Sequence, residues 1–452
     1  MSALPLTHSL TAPRPIHRPF FLAAIAVILS AGASWGVYLL WQIGIAGSFT
    51  AVTVHHVNAH GHAQIFGWVG LFIMGFAYQM FPRFFNHPLR APRLAPLVLF
   101  AMLIGITLRV VGMTNPAQRW ALSLALAGAS LEIAAIAIFT SQIFATFRKS
   151  AAHLEPYAAF LLTALLWFVA QSLASTWHTY TTMSATTRDE LLWYIATYQA
   201  PLRDLQIHGL AMFMILGVSL RTFPCLFRLP TIAPRRAWTA WFLLTLAVLG
   251  ETSIFVTYRF TENHAVAALL LLPWLLLALG VALLIWPWKF WRPLPPLAPD
   301  QPDRAAKFIR AAYAWLALSL IMLLLLPVYQ LLSHIPFSHA YYGAIRHAVT
   351  VGFISLMILG MSSKVLPRLQ NLPAQHLPSL LGPFILVNLG CLLRVTTQTL
   401  TDFHPLFFSV VGFSGILEVL GLAWWAAHLL ALMLRPAANH APACPQHAAS
   451  SL

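Results

Sequence analysis

About twelve apolar stretches follow one another along the chain, each near the length that crosses roughly 30 Å of hydrocarbon as a helix, with little polar sequence between them. They cover residues 20–45, 60–80, 94–113, 120–144, 157–177, 205–223, 237–256, 265–286, 308–332, 342–365, 380–397 and 407–434. A backbone inside hydrocarbon must satisfy its own hydrogen bonds, so stretches of this kind fold as spanning helices. The expected fold class is an all-α integral membrane protein, with the bilayer as its partner and solvent. Composition agrees: 59% of the 452 residues are hydrophobic, 8% are charged and mean hydropathy is +0.76, too few charges to coat a soluble globule of this size. The formal net charge of +15 would suit nucleic acid only if the basic residues were clustered. They are dispersed between apolar runs, which speaks for orientation in a membrane and against a nucleic-acid partner.

The first stretch has some character of a signal peptide, with Arg18 ahead of an apolar run and Ala31-Gly32-Ala33 within it. The run continues well past Ala33, and the repeat described below needs it, so it is read as a retained helix. The amino-terminal tail, the connections after even-numbered stretches and the carboxyl-terminal tail hold 19 of the 26 Lys and Arg residues. The opposite connections and helix ends hold Arg109, Arg119, Arg188, Arg203, Arg259, Arg346 and Arg394. By the positive-inside rule both termini are expected in the cytoplasm. The organisation is then a tail (1–19), a single transmembrane domain (20–434) and a second tail (435–452), with a proline-rich linker over 287–307. Cys225, Cys391 and Cys444 share no short spacing, so they outline neither a disulfide framework nor a thiolate zinc site.

An internal repeat organises the spans. Gly75 and Pro82, Gly217 and Pro224, and Gly360 and Pro367 each stand seven residues apart, and the prolines are separated by 142 and 143 residues. Each interval contains four spans, which predicts three pseudo-equivalent four-helix units, about 20–146, 157–287 and 308–434. Gly105-Ile-Thr-Leu-Arg109-Val110 recurs as Gly390-Cys-Leu-Leu-Arg394-Val395, both arginines 27 residues beyond their prolines. Glu251 occupies the same offset in the middle unit, and Glu132 and Glu418 fall 50 and 51 residues beyond theirs.

Histidine placement carries the chemistry. His62 and His347 each precede their repeat proline by 20 residues, and His208 precedes its own by 16. At about 1.5 Å per residue, the first two lie at equal depth near the outer edge of the hydrocarbon and His208 lies about one turn deeper. Imidazole is an axial ligand for haem iron and a good copper ligand, and a helical bundle can hold either group between facing side chains. The expectation is that His62 and His347 coordinate one haem b from opposite faces. His60, two residues from His62, points about 200° away from it on a helix, so the two do not readily share a site. His208 is expected to border a second metal, copper, with His60, His264 and His339 as the available outer ligands. Arg109, Arg394 and Glu251 are candidates for an outer charged ring that pairs internally or with haem propionates. Methionines on the repeat helices read as packing. No phosphate loop, catalytic triad or metalloprotease motif is present.

Arg18-Pro19-Phe20-Phe21, His60-Gly61-His62-Ala63-Gln64-Ile65-Phe66-Gly67, Arg203-Asp204-Leu205-Gln206-Ile207-His208-Gly209, Ile309-Arg310-Ala311-Ala312-Tyr313-Ala314-Trp315 and Arg346-His347-Ala348-Val349-Thr350-Val351-Gly352 resemble the NnrS family. That resemblance implies a haem- and copper-containing bacterial inner-membrane protein of the nitric oxide response, with nitric oxide as a small ligand. No Cys-x-x-Cys-His motif occurs, so a haem is expected to be non-covalent. The threefold plan with histidines on spans 2, 6 and 10 is also similar to the catalytic subunit of haem-copper oxidases and nitric oxide reductases. That superfamily places a His-x-His pair on span 10 and adjacent histidines on span 7, whereas this chain has His347 alone and none inside span 7. Three function classes stay open at this level: a haem and copper protein of nitric oxide response or detoxification, a terminal reductase, and a transporter or structural membrane protein without cofactor.

Overall fold

A computed structural model describes residues 15–151, 153–293, 303–370, 372 and 378–435. The start of the amino-terminal tail, the middle of the 287–307 linker and the carboxyl-terminal tail beyond Arg435, with Cys444, lie outside the described residues. Among the described residues the structure is 85% helical without strands, and twelve helices are long and apolar enough to span a membrane. They are α1 (His17–Ala46), α2 (Val54–Phe84), α3 (Pro92–Thr114), α4 (Ala121–Lys149), α5 (Pro156–Ser184), α6 (Arg188–Phe227), α7 (Pro234–Thr261), α8 (His264–Trp288), α9 (Ala306–Leu324), α10 (His339–Leu369), α11 (Leu381–Leu400) and α12 (Leu406–Leu434).

Each expected span is present, and the ends differ where polar residues continue a helix. α6 begins at Arg188 because Thr187 caps it, its Oγ1 accepting from the Glu190 backbone N–H at 3.2 Å. The 308–332 stretch is not one helix. α9 stops at Leu324, and a short helix, Leu326–Ser333, follows. Pro327 lacks the N–H that would continue the ladder, and its ring crowds the carbonyl four residues back.

Burial separates an inner ring from an outer one. In α2, α6 and α10, 83, 72 and 78% of the central apolar window is buried inside the protein, against 28 to 61% for the other nine helices. The outer helices present residues such as Phe100, Phe242, Leu272 and Trp424 outward, the surface that lipid covers. Each inner helix contains an eight-residue π-helical stretch: Ala63–Gly70, Leu205–Met212 and Ala348–Ser355. His62 and His347 stand immediately before their stretches and His208 lies within its own. Wide turns of this kind are rare and cluster at functional sites.

Close helix approach holds the rings together. Ideal Cβ atoms at Gly75, Gly217 and Gly360 would lie 2.7, 2.9 and 2.8 Å from the Cβ atoms of Phe20, Phe160 and Phe308. Only glycine lets α1, α5 and α9 come this near to α2, α6 and α10, and in lipid such packing is the main attraction between helices. Polar ties add register: Trp68 Nε1 of α2 donates to Ser355 Oγ of α10 at 3.1 Å, and Tyr313 Oη of α9 donates to Ser219 Oγ of α6 at 2.9 Å.

Candidate functional site

At the end of the bundle that carries His62, three buried polar groups close on one another. His62 Nε2 lies 2.7 Å from Glu132 Oε1, which α4 brings to α2. Arg109 of α3 donates from Nη1 to Glu132 Oε2 at 2.9 Å. Its Nη2 donates to the Ser175 carbonyl and hydroxyl and to Thr179 Oγ1 of α5, at 2.6, 2.8 and 2.7 Å. Both carboxylate oxygens and both terminal guanidinium nitrogens are engaged, leaving only His62 Nδ1 and Arg109 Nε buried without a partner. In a low-dielectric interior this matching is what makes a buried pair tolerable. The carboxylate opposite Nε2 fixes His62 with its proton on that nitrogen.

The third unit repeats the residues without closing the network. Gly105 lies against Glu132, and Gly390 likewise lies against Glu418, their ideal Cβ atoms 2.8 and 2.7 Å from the two Cγ atoms. Arg394 and Glu418 are both buried, yet Arg394 Nε and Nη1 and Glu418 Oε1 have no hydrogen-bond partner, and no ion pair joins the two among the described residues. His347 Nδ1 faces the Gly343 carbonyl at 3.2 Å. A carbonyl only accepts, so this contact fixes the tautomer with Nδ1 protonated and leaves the Nε2 lone pair available. His60 is arranged in the same way, with Nδ1 3.0 Å from the Gly32 carbonyl of α1. His62 instead turns into the Glu132 network, so the two imidazoles of α2 face different surroundings, as their spacing requires.

The middle unit brings together a different set. His208 Nδ1 lies 2.8 Å from Glu251 Oε1 of α7, and ligand atoms of Asp204, His208 and Glu251 all lie within 4.8 Å of one another. They line a cavity of about 30 Å³ with Tyr342 and Arg346 of α10, room for roughly two water-sized ligands. Neither His60, His264 nor His339 lines that cavity or joins that donor set. His264 and His339 are exposed at their helix starts, His339 edge-on to Phe337 with ring centroids 4.9 Å apart. Arg203 spans from α6 to α2, donating to Asn58 Oδ1 at 3.1 Å and to Gln206 Oε1 at 2.8 Å.

Asp204 and Arg346 were not singled out by sequence, although the repeat marks both. Asp204 precedes Pro224 by 20 residues, the offset of His62 and His347, and Arg346 precedes Pro367 by 21, the offset of Arg203 and Gly61. Aligning on residue type hides this, because the middle unit carries carboxylates where its neighbours carry bases.

A family model described as NnrS protein matches residues 15–437, nearly the whole chain. No curated protein matches it.

Proposed function

The chain belongs to the NnrS family, and from that premise we propose that it is a haem- and metal-binding protein of the bacterial inner membrane that serves the response to nitric oxide. The observation that carries the haem reading is the open network of the third unit: a buried guanidinium with two unpartnered nitrogens beside an imidazole whose Nε2 is free. The same residue types close on themselves around Glu132. Those groups fit a haem. An axial histidine ordinarily anchors its second ring nitrogen on a carbonyl or carboxylate, and Arg394 offers donors suited to a propionate. His347 would hold the haem from α10 in this reading, and His60, the α2 imidazole whose Nδ1 is likewise fixed on a carbonyl, would hold it from α2. His62 matches His347 in depth, but its Nε2 is already taken by Glu132.

Bound there, a ferrous haem would supply an iron that nitric oxide could bind where one of the two imidazoles gives up its place. The chain's own part is to hold the imidazole tautomers, to neutralise the propionates and to surround the ligand with apolar helix faces that exclude water. Asp204, His208 and Glu251 fit a second metal, for which the sequence pointed to copper at His208. Both termini lie in the cytoplasm in this reading, and the histidine-bearing end opens to the opposite side.

Titration of nitric oxide into the purified, dithionite-reduced protein tests the proposal. The expected result is a saturable shift of a haem absorption band. A preparation from native membranes without haem absorbance would overturn it and leave a transporter or structural role.

A further inference from the structure

The three units carry one polar pattern, and in the middle unit its polarity is reversed. At the offset of His62 and His347 stands Asp204; at the offset of Arg109 and Arg394 stands Glu251; at the offset of Glu132 stands Trp274, 50 residues beyond Pro224. The bases are replaced by acids and the balancing acid by an indole. Two carboxylates therefore share a mostly apolar enclosure with one guanidinium, Arg346, which α10 sends into the same cavity wall. Like charges this close in a low-dielectric site repel strongly unless a cation lies between them.

We infer that Asp204, His208 and Glu251 form a binding site for a divalent cation of the oxygen-preferring class, with the adjoining cavity holding its water ligands. Glu251 is buried, and its Oε2 has no hydrogen-bond partner, so a carboxylate lone pair is desolvated and unmatched at the cavity wall. Convergence of the three ligand atoms within 4.8 Å matches what one ion requires, and about 30 Å³ of space leaves room for water to complete its coordination. The donors are two carboxylates and one imidazole, and no cysteine or methionine lines the cavity. Such a set favours manganese-like or zinc-like divalent ions over cuprous copper, which prefers soft sulfur donors.

This inference refines the second metal of the reading above and rests on it for nothing else. The test uses the full-length protein in detergent, stripped with chelator and titrated with manganese(II), bound ion being followed by electron paramagnetic resonance and elemental analysis. The wild type is expected to hold one manganese per chain. Asp204→Asn and Glu251→Gln should each weaken binding at least tenfold, and Asp204→Glu should recover part of it. Cuprous copper, supplied anaerobically, should not displace the manganese. Absence of a stoichiometric site in the wild type would overturn the inference, as would unchanged affinity in both folded variants or displacement by cuprous copper. Haem content is measured in the same samples: a wild type that holds haem but no manganese contradicts this inference alone, and absence of haem from the wild type contradicts the broader reading.

Discussion

Arg109 Nη1 lies 2.9 Å from Glu132 Oε2, whereas Arg394, at the same repeat offset, makes no such contact with Glu418. The same residue types thus make a closed tie around Glu132 and leave buried polar atoms of Arg394 and Glu418 without partners. In the first unit His62 also engages Glu132, and Ser175 and Thr179 of α5 take up the second guanidinium nitrogen of Arg109.

Removing one partner of the closed tie should unfold the bundle more easily. Glu132→Ala strands a buried guanidinium and an imidazole, a loss of about 3–5 kcal/mol for a broken buried pair. Thermal unfolding in detergent should show a large drop for Glu132→Ala and a small one for Glu418→Ala, whose oxygen has no partner to lose. Equal drops would mean that the two units are equally tied.

Close approach of α9 to α10 depends on Gly360. A Cβ there would sit 2.8 Å from that of Phe308, so Gly360→Val is expected to cost about 1–3 kcal/mol through overpacking. Phe308→Ala in the same chain should return part of that stability. A double variant no more stable than Gly360→Val alone would argue against the contact as the cause.

Orientation is testable by reporter fusion. A fluorescent protein at the carboxyl terminus should fold and fluoresce in the cytoplasm, and alkaline phosphatase inserted after Asn115, in the exposed α3–α4 turn, should be active. Dark fusions paired with inactive phosphatase would reverse the topology.

Much of the fold was legible because hydrocarbon imposes one simple rule on length and polarity, and the spans followed from it. Helix ends were less so: the Arg188–Asp204 segment is polar, and only a cap and tertiary packing make it helical. The break at Leu325 depended on Pro327, which a hydropathy average does not register. Repeat offsets located His62, Arg109, Glu132, His347, Arg394 and Glu418, but depth along a helix says nothing about direction around it. Equal depth singled out His62 as the partner of His347, and side-chain direction turns His62 toward Glu132 and His60 toward the Gly32 carbonyl. Asp204 is hidden in the sequence because the middle unit reverses the charge of the pattern that marks the others.

The central claim is that His347 stands in a haem site whose α2 ligand is His60. Haem per chain, measured as the pyridine haemochrome of purified wild type, His347→Ala, His60→Ala and His62→Ala, tests it most directly. The expected result is haem b in the wild type, most of it lost in His347→Ala and His60→Ala, and most of it kept in folded His62→Ala. Wild-type haem content in His347→Ala, or loss confined to His62→Ala, would contradict the account.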